Sequence, residues 1–299
     1  MCKENENRYS KGKRKKVDIM KKRILTFALA AAVILGTLCM AGCGGEKSGD
    51  GVVIAGSTSV QPLSESMAEV YMENNPDVMI EVQGGGSGQG IKSIEEGIAD
   101  IGSLSRDVKD EEKASVGEEF VIAKDGVAMI VNADVQVEDL TMEQIRAIYT
   151  GEITNWSEVG GADADITVVT REEGSGTRGA FTELTGVLTE DAEGNEIDNT
   201  TKDALVQPST GAVKETVSTT PNSIGYVSLG ALDDTVKVVK VEGVEATVDT
   251  VLSGEYKIQR PFVYVVGAEM TEAAKAFIDF ALSAEGQAIV EENGFVPVK

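Results

Sequence analysis

Histidine is absent from all 299 residues, and that omission removes Ser-His-Asp catalysis, Cys-His catalysis and every histidine-ligated zinc site. Cysteine is nearly as scarce. The three present, Cys2, Cys39 and Cys43, all lie in the first 43 positions, so the rest of the chain can hold no internal disulfide. Aromatic residues make up only 5%, which argues against sugar recognition by stacking on ring faces. Basic charge is short where it would matter for polyanions: from Cys43 onward there are 17 Lys and Arg against 47 Asp and Glu. A body so acidic repels nucleic acid and anionic headgroups, which excludes a polyanion-binding role. What the chain does have is enough hydrophobic residues, 41%, to build one large or two medium domains.

The first 42 residues are the exception to the acidic balance, with ten basic and three acidic side chains. A basic stretch at 11–23 precedes nineteen uncharged residues, 24–42, and this pattern reads as an export signal. The apolar run is also long enough to span a bilayer as an uncleaved anchor. Met40-Ala41-Gly42-Cys43 favours the other reading, because small residues before a cysteine resemble a bacterial lipobox whose cysteine becomes the diacylated first residue. Residues 1–42 are then the signal sequence and Cys43 the lipidation site. A start at Met20 gives a signal of ordinary shape, with residues 1–19 an over-extended start. Residues 43–51, rich in glycine and charge, form a flexible tether that places the folded body near the outer face of the membrane.

From Val52 short apolar runs alternate with helical periodicity, the mark of an α/β protein with largely parallel strands. Strands are expected at 52–56, 78–83, 120–123, 127–131, 166–170 and 262–266. Helical spacing appears at Val60, Leu63, Met67 and Val70, at Ile91, Ile94 and Ile98, and at Ala180, Phe181 and Leu184. Two more helices are expected at 140–149 and 272–282, and the acidic stretch 189–203 reads as a solvated loop.

One local design recurs: a strand, a Ser/Thr/Gly turn, then a helix. It occurs at Gly56-Ser57-Thr58-Ser59, at Gly84-Gly85-Gly86-Ser87-Gly88-Gln89-Gly90, and at Gly174-Ser175-Gly176-Thr177. A helix start exposes unpaired backbone N–H groups and the positive end of the helix dipole, and glycine lets that backbone approach a ligand closely. Taken singly each turn is ordinary N-capping. Three after strands in one α/β chain point to an anion site, since strand C-terminal ends are where such sheets bind ligands. Nucleotide motifs fail by spacing, because neither G-x-G-x-x-G nor G-x-x-x-x-G-K-[ST] is satisfied. Arg171 and Arg106 stand beside these turns, and a guanidinium matches a tetrahedral oxyanion bidentately. Either arginine could instead form a surface ion pair. Glu173 is placed to orient Arg171 or moderate its charge.

The ordered set of motifs resembles the PstS family of phosphate-binding lipoproteins, the solute receptors of ABC importers. It comprises Gly56-Ser57-Thr58-Ser59-Val60-Gln61-Pro62-Leu63, residues 84–91, and Ile101-Gly102-Ser103-Leu104-Ser105-Arg106. It continues through Ile145-Arg146-Ala147-Ile148-Tyr149-Thr150-Gly151, Asn155-Trp156 and Arg171-Glu172-Glu173-Gly174-Ser175-Gly176-Thr177. Ile224-Gly225-Tyr226, Arg260-Pro261-Phe262 and residues 286–297 complete it. The resemblance implies a two-lobed periplasmic-binding-protein-like II fold with two crossovers, near 127–132 and 260–265, and a ligand cleft between the lobes. Lobe I would comprise residues 50–130 plus 264–299, and lobe II residues 131–263. Trp156 reads as lobe packing, without a ligand role.

By the same resemblance Thr58 and Ser59 form the first phosphate loop, Ser87 the second, and Arg171, Ser175, Gly176 and Thr177 the third. Ser105 stands where many members carry an aspartate that accepts the phosphate proton. Ser105-Arg106 therefore leaves discrimination to hydroxyl or carbonyl acceptors, or to Asp107 if it turns inward. The implied function is a non-catalytic, monomeric receptor that binds inorganic phosphate and hands it to ABC importer permease subunits, without cofactor or metal. Three alternatives stay open. They are a receptor for sulfate, molybdate or another oxyanion, a phosphoryl-transfer enzyme using Ser87 or Ser175 as nucleophile, and an adhesive surface lipoprotein.

Overall fold

In the computed structural model, which describes residues 51–298, Glu118–Val131 form one uninterrupted strand of 14 residues. The sequence reading divided this segment into two strands around Lys124-Asp125-Gly126; the structure joins them, with Asp125 fully buried. The leader at 1–42, the lipidation site Cys43 and the tether up to residue 50 lie outside the described residues. Gly51, expected in the tether, is instead the first residue of a strand.

The chain runs β1 (Gly51–Gly56), α1 (Gln61–Asn74), β2 (Met79–Gly84), α2 (Ser87–Glu95), β3 (Ile101–Leu104) and the long β4 (Glu118–Val131). It continues through β5 (Asp139–Leu140), α3 (Met142–Thr150), β6 (Thr167–Arg171), α4 (Gly176–Thr185), β7 (Leu188–Glu190), β8 (Glu196–Asp198), β9 (Leu205–Gln207) and α5 (Thr210–Thr219). Then come β10 (Ser223–Ser228), β11 (Lys237–Val241), α6 (Val248–Ser253), β12 (Gln259–Val266), α7 (Glu272–Ala281) and α8 (Ala284–Glu292). Among the described residues no helix is long and apolar enough to cross a membrane.

The main sheet has the order β2-β1-β3-β12-β4-β10-β6-β9, with β11 on β4 and β5 on β11. Strands β1, β2 and β3 are parallel, as are β6, β9 and β10, whereas β4 and β12 run antiparallel to their neighbours. Partner exchange along β4 defines the two-lobed architecture. Residues 118–126 pair with β12, and residues 127–131 pair with β10 and β11. The stretch 189–203, expected to be a loop, includes most of the antiparallel hairpin β7–β8, in which Leu188–Glu190 pair with Glu196–Asp198. Its alternation was hidden because nearly every residue there is exposed and polar.

Each lobe has its own core. In the first, Leu63 and Met67 of α1 pack with Val52, Ile54, Phe262, Phe277 and Phe295. In the second, Tyr149, Trp156, Phe181, Ile224 and Tyr226 form the centre. Trp156 is buried and its indole N–H donates to the Asn222 carbonyl at 2.9 Å, so its role is packing. Local signals set the helix ends. Thr141 and Gln144 form a capping box at the start of α3, and Gly151 ends that helix in the left-handed region at φ 80°. Such a cap contributes about 1 kcal/mol.

Candidate functional site

The C-terminal ends of β1, β2, β3 and β6 deliver the hydroxyl turns, and the structure brings them together. In the first lobe the Gly56 carbonyl accepts from the N–H groups of Gly85 at 2.7 Å and Gly86 at 2.9 Å, which ties the first turn to the second. The Ser57 hydroxyl donates to Ser105 Oγ at 2.8 Å, and the Ser105 N–H donates to Ser87 Oγ at 3.1 Å. Ser57, Ser59, Ser87 and Ser105 are all buried.

The second lobe meets this group directly. Ser59 Oγ shares hydrogen bonds with Thr177 Oγ1 at 2.9 Å and Thr210 Oγ1 at 2.8 Å. The Gly88 N–H donates to the Gly174 carbonyl at 3.1 Å. Ser175 caps α4, its hydroxyl accepting from the Arg178 N–H at 3.2 Å. At Gly176 any Cβ would collide with the Ser87 hydroxyl and crowd Ser105, so glycine is required for the turns to meet.

Arg171, only 1% exposed, is the cation of the cluster. Its Nη2 donates to Thr58 Oγ1 and its Nη1 to Thr210 Oγ1, both at 3.2 Å. Its Nε and Nη2 also hold the Glu172 carboxylate at 2.8 Å each. Glu172 therefore fills the orienting role expected of Glu173, which is exposed. The backbone beneath is fixed by Tyr226, whose hydroxyl accepts from the Arg171 N–H at 3.3 Å and shares a 2.8 Å hydrogen bond with Thr170. The Tyr226 ring stacks on Phe181 with centroids 4.0 Å apart. Burial pushes the Tyr226 phenol up to about 12, so it stays neutral.

Arg106 stands apart from the hydroxyl cluster. Its Nη1 and Nη2 hold the two oxygens of Glu112 at 2.7 and 2.6 Å, and Nη1 also donates to the Asp107 carbonyl at 2.8 Å. It borders a crevice of about 770 Å³ shared with Asp107, Lys109, Glu173, Arg178 and Asp198. The Asp107 side chain is exposed and does not turn into the cluster.

Two participants escaped the sequence reading. Thr210 joins Ser59, Thr58 and Arg171 in one network, and its own N–H donates to Thr58 Oγ1 at 3.2 Å. Its signal was present, since Ser209-Thr210-Gly211 follows β9 and starts α5 in the same design as the other three turns. Ser57, within the first turn, contributes through its bond to Ser105, a partner 48 residues away. Among the described residues no group of His, Cys, Asp or Glu could hold a metal ion. Neither Ser87 nor Ser175 is paired with a general base: Ser87 Oγ accepts a backbone N–H and neighbours another serine, and Ser175 caps a helix. The arrangement is a set of hydroxyls, helix starts and one guanidinium that suits an anion with several oxygens.

Comparison with known proteins places the chain in a family. The PBP superfamily domain matches residues 41–285. The phosphate-binding protein PstS of Bacillus subtilis is 37% identical over 261 residues, covering 85% of this chain and 83% of the relative. A Clostridium perfringens protein assigned as a phosphate ABC transporter substrate-binding protein, solved with bound phosphate, superimposes with a TM-score of 0.77. It is 47% identical, covering 83% of this chain and 100% of that one. An ABC-type phosphate transport receptor from Vibrio cholerae superimposes at 0.68 with 35% identity, covering 82% and 99%. The match across most of the chain, on top of the two-lobed fold and its converging turns, means that this protein belongs to the PstS family of phosphate-binding proteins.

Proposed function

We propose that this protein is an extracytoplasmic receptor that binds inorganic phosphate between its lobes and delivers it to the permease of an ABC-type importer. One observation carries the reading: hydroxyls from both lobes and the Arg171 guanidinium converge on one another across the cleft. A tetrahedral oxyanion offers acceptors to those same groups, and each hydrogen bond to a charged ligand is worth roughly 1.5 to 3 kcal/mol net. Arg171 is already neutralised by Glu172, so binding relies on oriented dipoles as much as on net charge. The acidic body does not oppose this, because salt at about 0.1 M screens charges more than about 10 Å away.

The ligand shell in this reading is Thr58, Ser59, Ser87, Ser105, Arg171, Ser175, Gly176 and Thr177, joined by Thr210. Arg106 serves the rim through Glu112. The lobes open about β4 and β12, where the pairing partners change. The protein acts as a monomer without catalysis, held at the membrane surface by a diacylated Cys43. The test is equilibrium binding of labelled phosphate with sulfate and molybdate as competitors. Saturable binding that survives a large sulfate excess supports the assignment. Displacement at comparable sulfate concentration would make this a general oxyanion receptor, the outcome expected if Ser105 offers the ligand proton no acceptor.

A further inference from the structure

Arg260 is 4% exposed and lies on β12 directly opposite Asp125 of β4, where both strands pass between the lobes. Asp125 accepts from Arg260 Nε at 3.0 Å and Nη2 at 2.8 Å, and from Ser228 Oγ at 2.9 Å and the Leu229 N–H at 3.1 Å. Its carboxylate is therefore fully engaged. Arg260 Nη1 is not: among the described residues it is the only buried side-chain nitrogen or oxygen without a hydrogen-bond partner. The charge itself is paired with Asp125 and the guanidinium carbon lies 5.6 Å from the Phe262 ring centroid, but a buried N–H nitrogen without an acceptor is still costly, so its persistence calls for a reason.

Its position supplies one. Strands β6 and β10 are parallel neighbours; β6 ends at Arg171, and β10 ends at Ser228, which caps Asp125. The Asp125–Arg260 pair thus sits at the same end of the second lobe's strands as the anion site. Arg171 is also within electrostatic reach. Burial lowers the Arg260 pKa, Asp125 pulls it back up, and the Arg171 charge adds to the lowering. Each guanidinium has one carboxylate partner, Arg171 with Glu172 and Arg260 with Asp125, and an anion in the cleft offsets the repulsion that remains between them.

Resting on the reading of the cleft as an oxyanion site, we infer that Arg260 is a second cationic determinant of that site. Asp125 holds it in place, and it favours the doubly charged form of a tetrahedral oxyanion. The charged and titratable groups around the pair are Asp125, Arg171 with its partner Glu172, Tyr226, and Tyr256, which the Asp125 charge reaches. Both tyrosines are held neutral by burial. The pH dependence therefore comes from the ligand, with Ser105 contributing a hydroxyl rather than a carboxylate against the second charge.

The experiment is calorimetric titration of inorganic phosphate into the mature protein, above and below the second ionisation of phosphate. Arg260→Gln should weaken binding about three- to tenfold, more strongly at the higher pH, because a cation at this range acts on each ligand charge. Arg260→Lys should retain most of the affinity. Asp125→Asn should act in the opposite direction and tighten binding about twofold or more, since it removes a nearby negative charge. A purely structural hinge pair predicts something else: both neutralising variants lower the melting temperature and shift affinity in the same direction at both pH values. That result overturns the inference, as does unchanged affinity in both. If Arg260→Gln does not fold, the sign of the Asp125→Asn effect decides. Arg171→Ala serves as the control, because intact binding in that variant would mean the anion site itself is misplaced.

Discussion

The Arg171 guanidinium donates to the Thr58 hydroxyl at 3.2 Å, a contact that joins the end of β6 to the turn after β1. The same hydroxyl accepts from the Thr210 N–H at 3.2 Å, so one threonine oxygen gathers two elements of the other lobe. On the function proposed above, closing the cleft and assembling the ligand shell are the same event. Side chains that bridge the lobes should affect binding more than they affect the stability of either core.

Thr210 gives the first test of that statement. Thr210→Val keeps the shape of the side chain but removes the hydroxyl shared by Ser59 and Arg171. It should weaken phosphate binding roughly tenfold, about the value of one hydrogen bond to a charged group. Calorimetry gives the affinity and thermal unfolding the control, and the melting temperature should change little.

Thr210 also shows what the sequence carries. The four-turn pattern is local, and Ser209-Thr210-Gly211 displays it as clearly as the other three, so this residue is legible in the sequence. Partner choice is different. Nothing local indicates that Arg171 holds Glu172 rather than Glu173, because both carboxylates are within reach and the turn geometry decides. Arg106 resembles an anion ligand until Glu112, six residues on, takes both of its terminal nitrogens. Asp125 looked like a polar break between two strands, because its partner Arg260 lies 135 positions away. The strand pattern and the hydroxyl turns are legible; long-range ion pairing is not.

Selectivity is the second prediction. Ser105 Oγ accepts from the Ser57 hydroxyl at 2.8 Å and lies 3.5 Å from Ser87 Oγ, so it is an acceptor placed among donors. A hydroxyl can accept the proton of a phosphate, and a ligand donor left without any acceptor costs about 1 to 3 kcal/mol. Phosphate should therefore remain distinguished from sulfate in the wild type, and Ser105→Asp should add little. Selectivity that appears only in Ser105→Asp would contradict this account of the site.

The buried tyrosines set a third. Burial raises the Tyr226 pKa from 10.0 to about 12 and raises those of Tyr149, Tyr256 and Tyr264 as well. A raised phenol pKa means the folded state holds the neutral form. The associated stability is complete below about pH 10 and is lost as pH rises from there through the folded values. Between neutral pH and about pH 10 these phenols should leave stability unchanged, and chemical denaturation should show a fall above that point. Tyr226→Phe should make the fall shallower, at a cost of about 1 kcal/mol at neutral pH for the bonds to Thr170 and Arg171.

Attachment is the fourth. Cys43→Ser should abolish incorporation of labelled fatty acid and release or misprocess the protein, since no cysteine follows position 43. Wild-type protein that keeps residues 24–42 and carries no lipid would support an uncleaved anchor instead.

Whether the cluster around Arg171 holds phosphate is decided by titrating phosphate into the wild type and Arg171→Ala by calorimetry. The wild type should bind saturably. The variant should bind at least tenfold more weakly, in line with roughly 2 to 5 kcal/mol for truncating one partner of a buried charged contact. Unchanged affinity in Arg171→Ala, with the fold intact by circular dichroism, would contradict the account and place the ligand elsewhere.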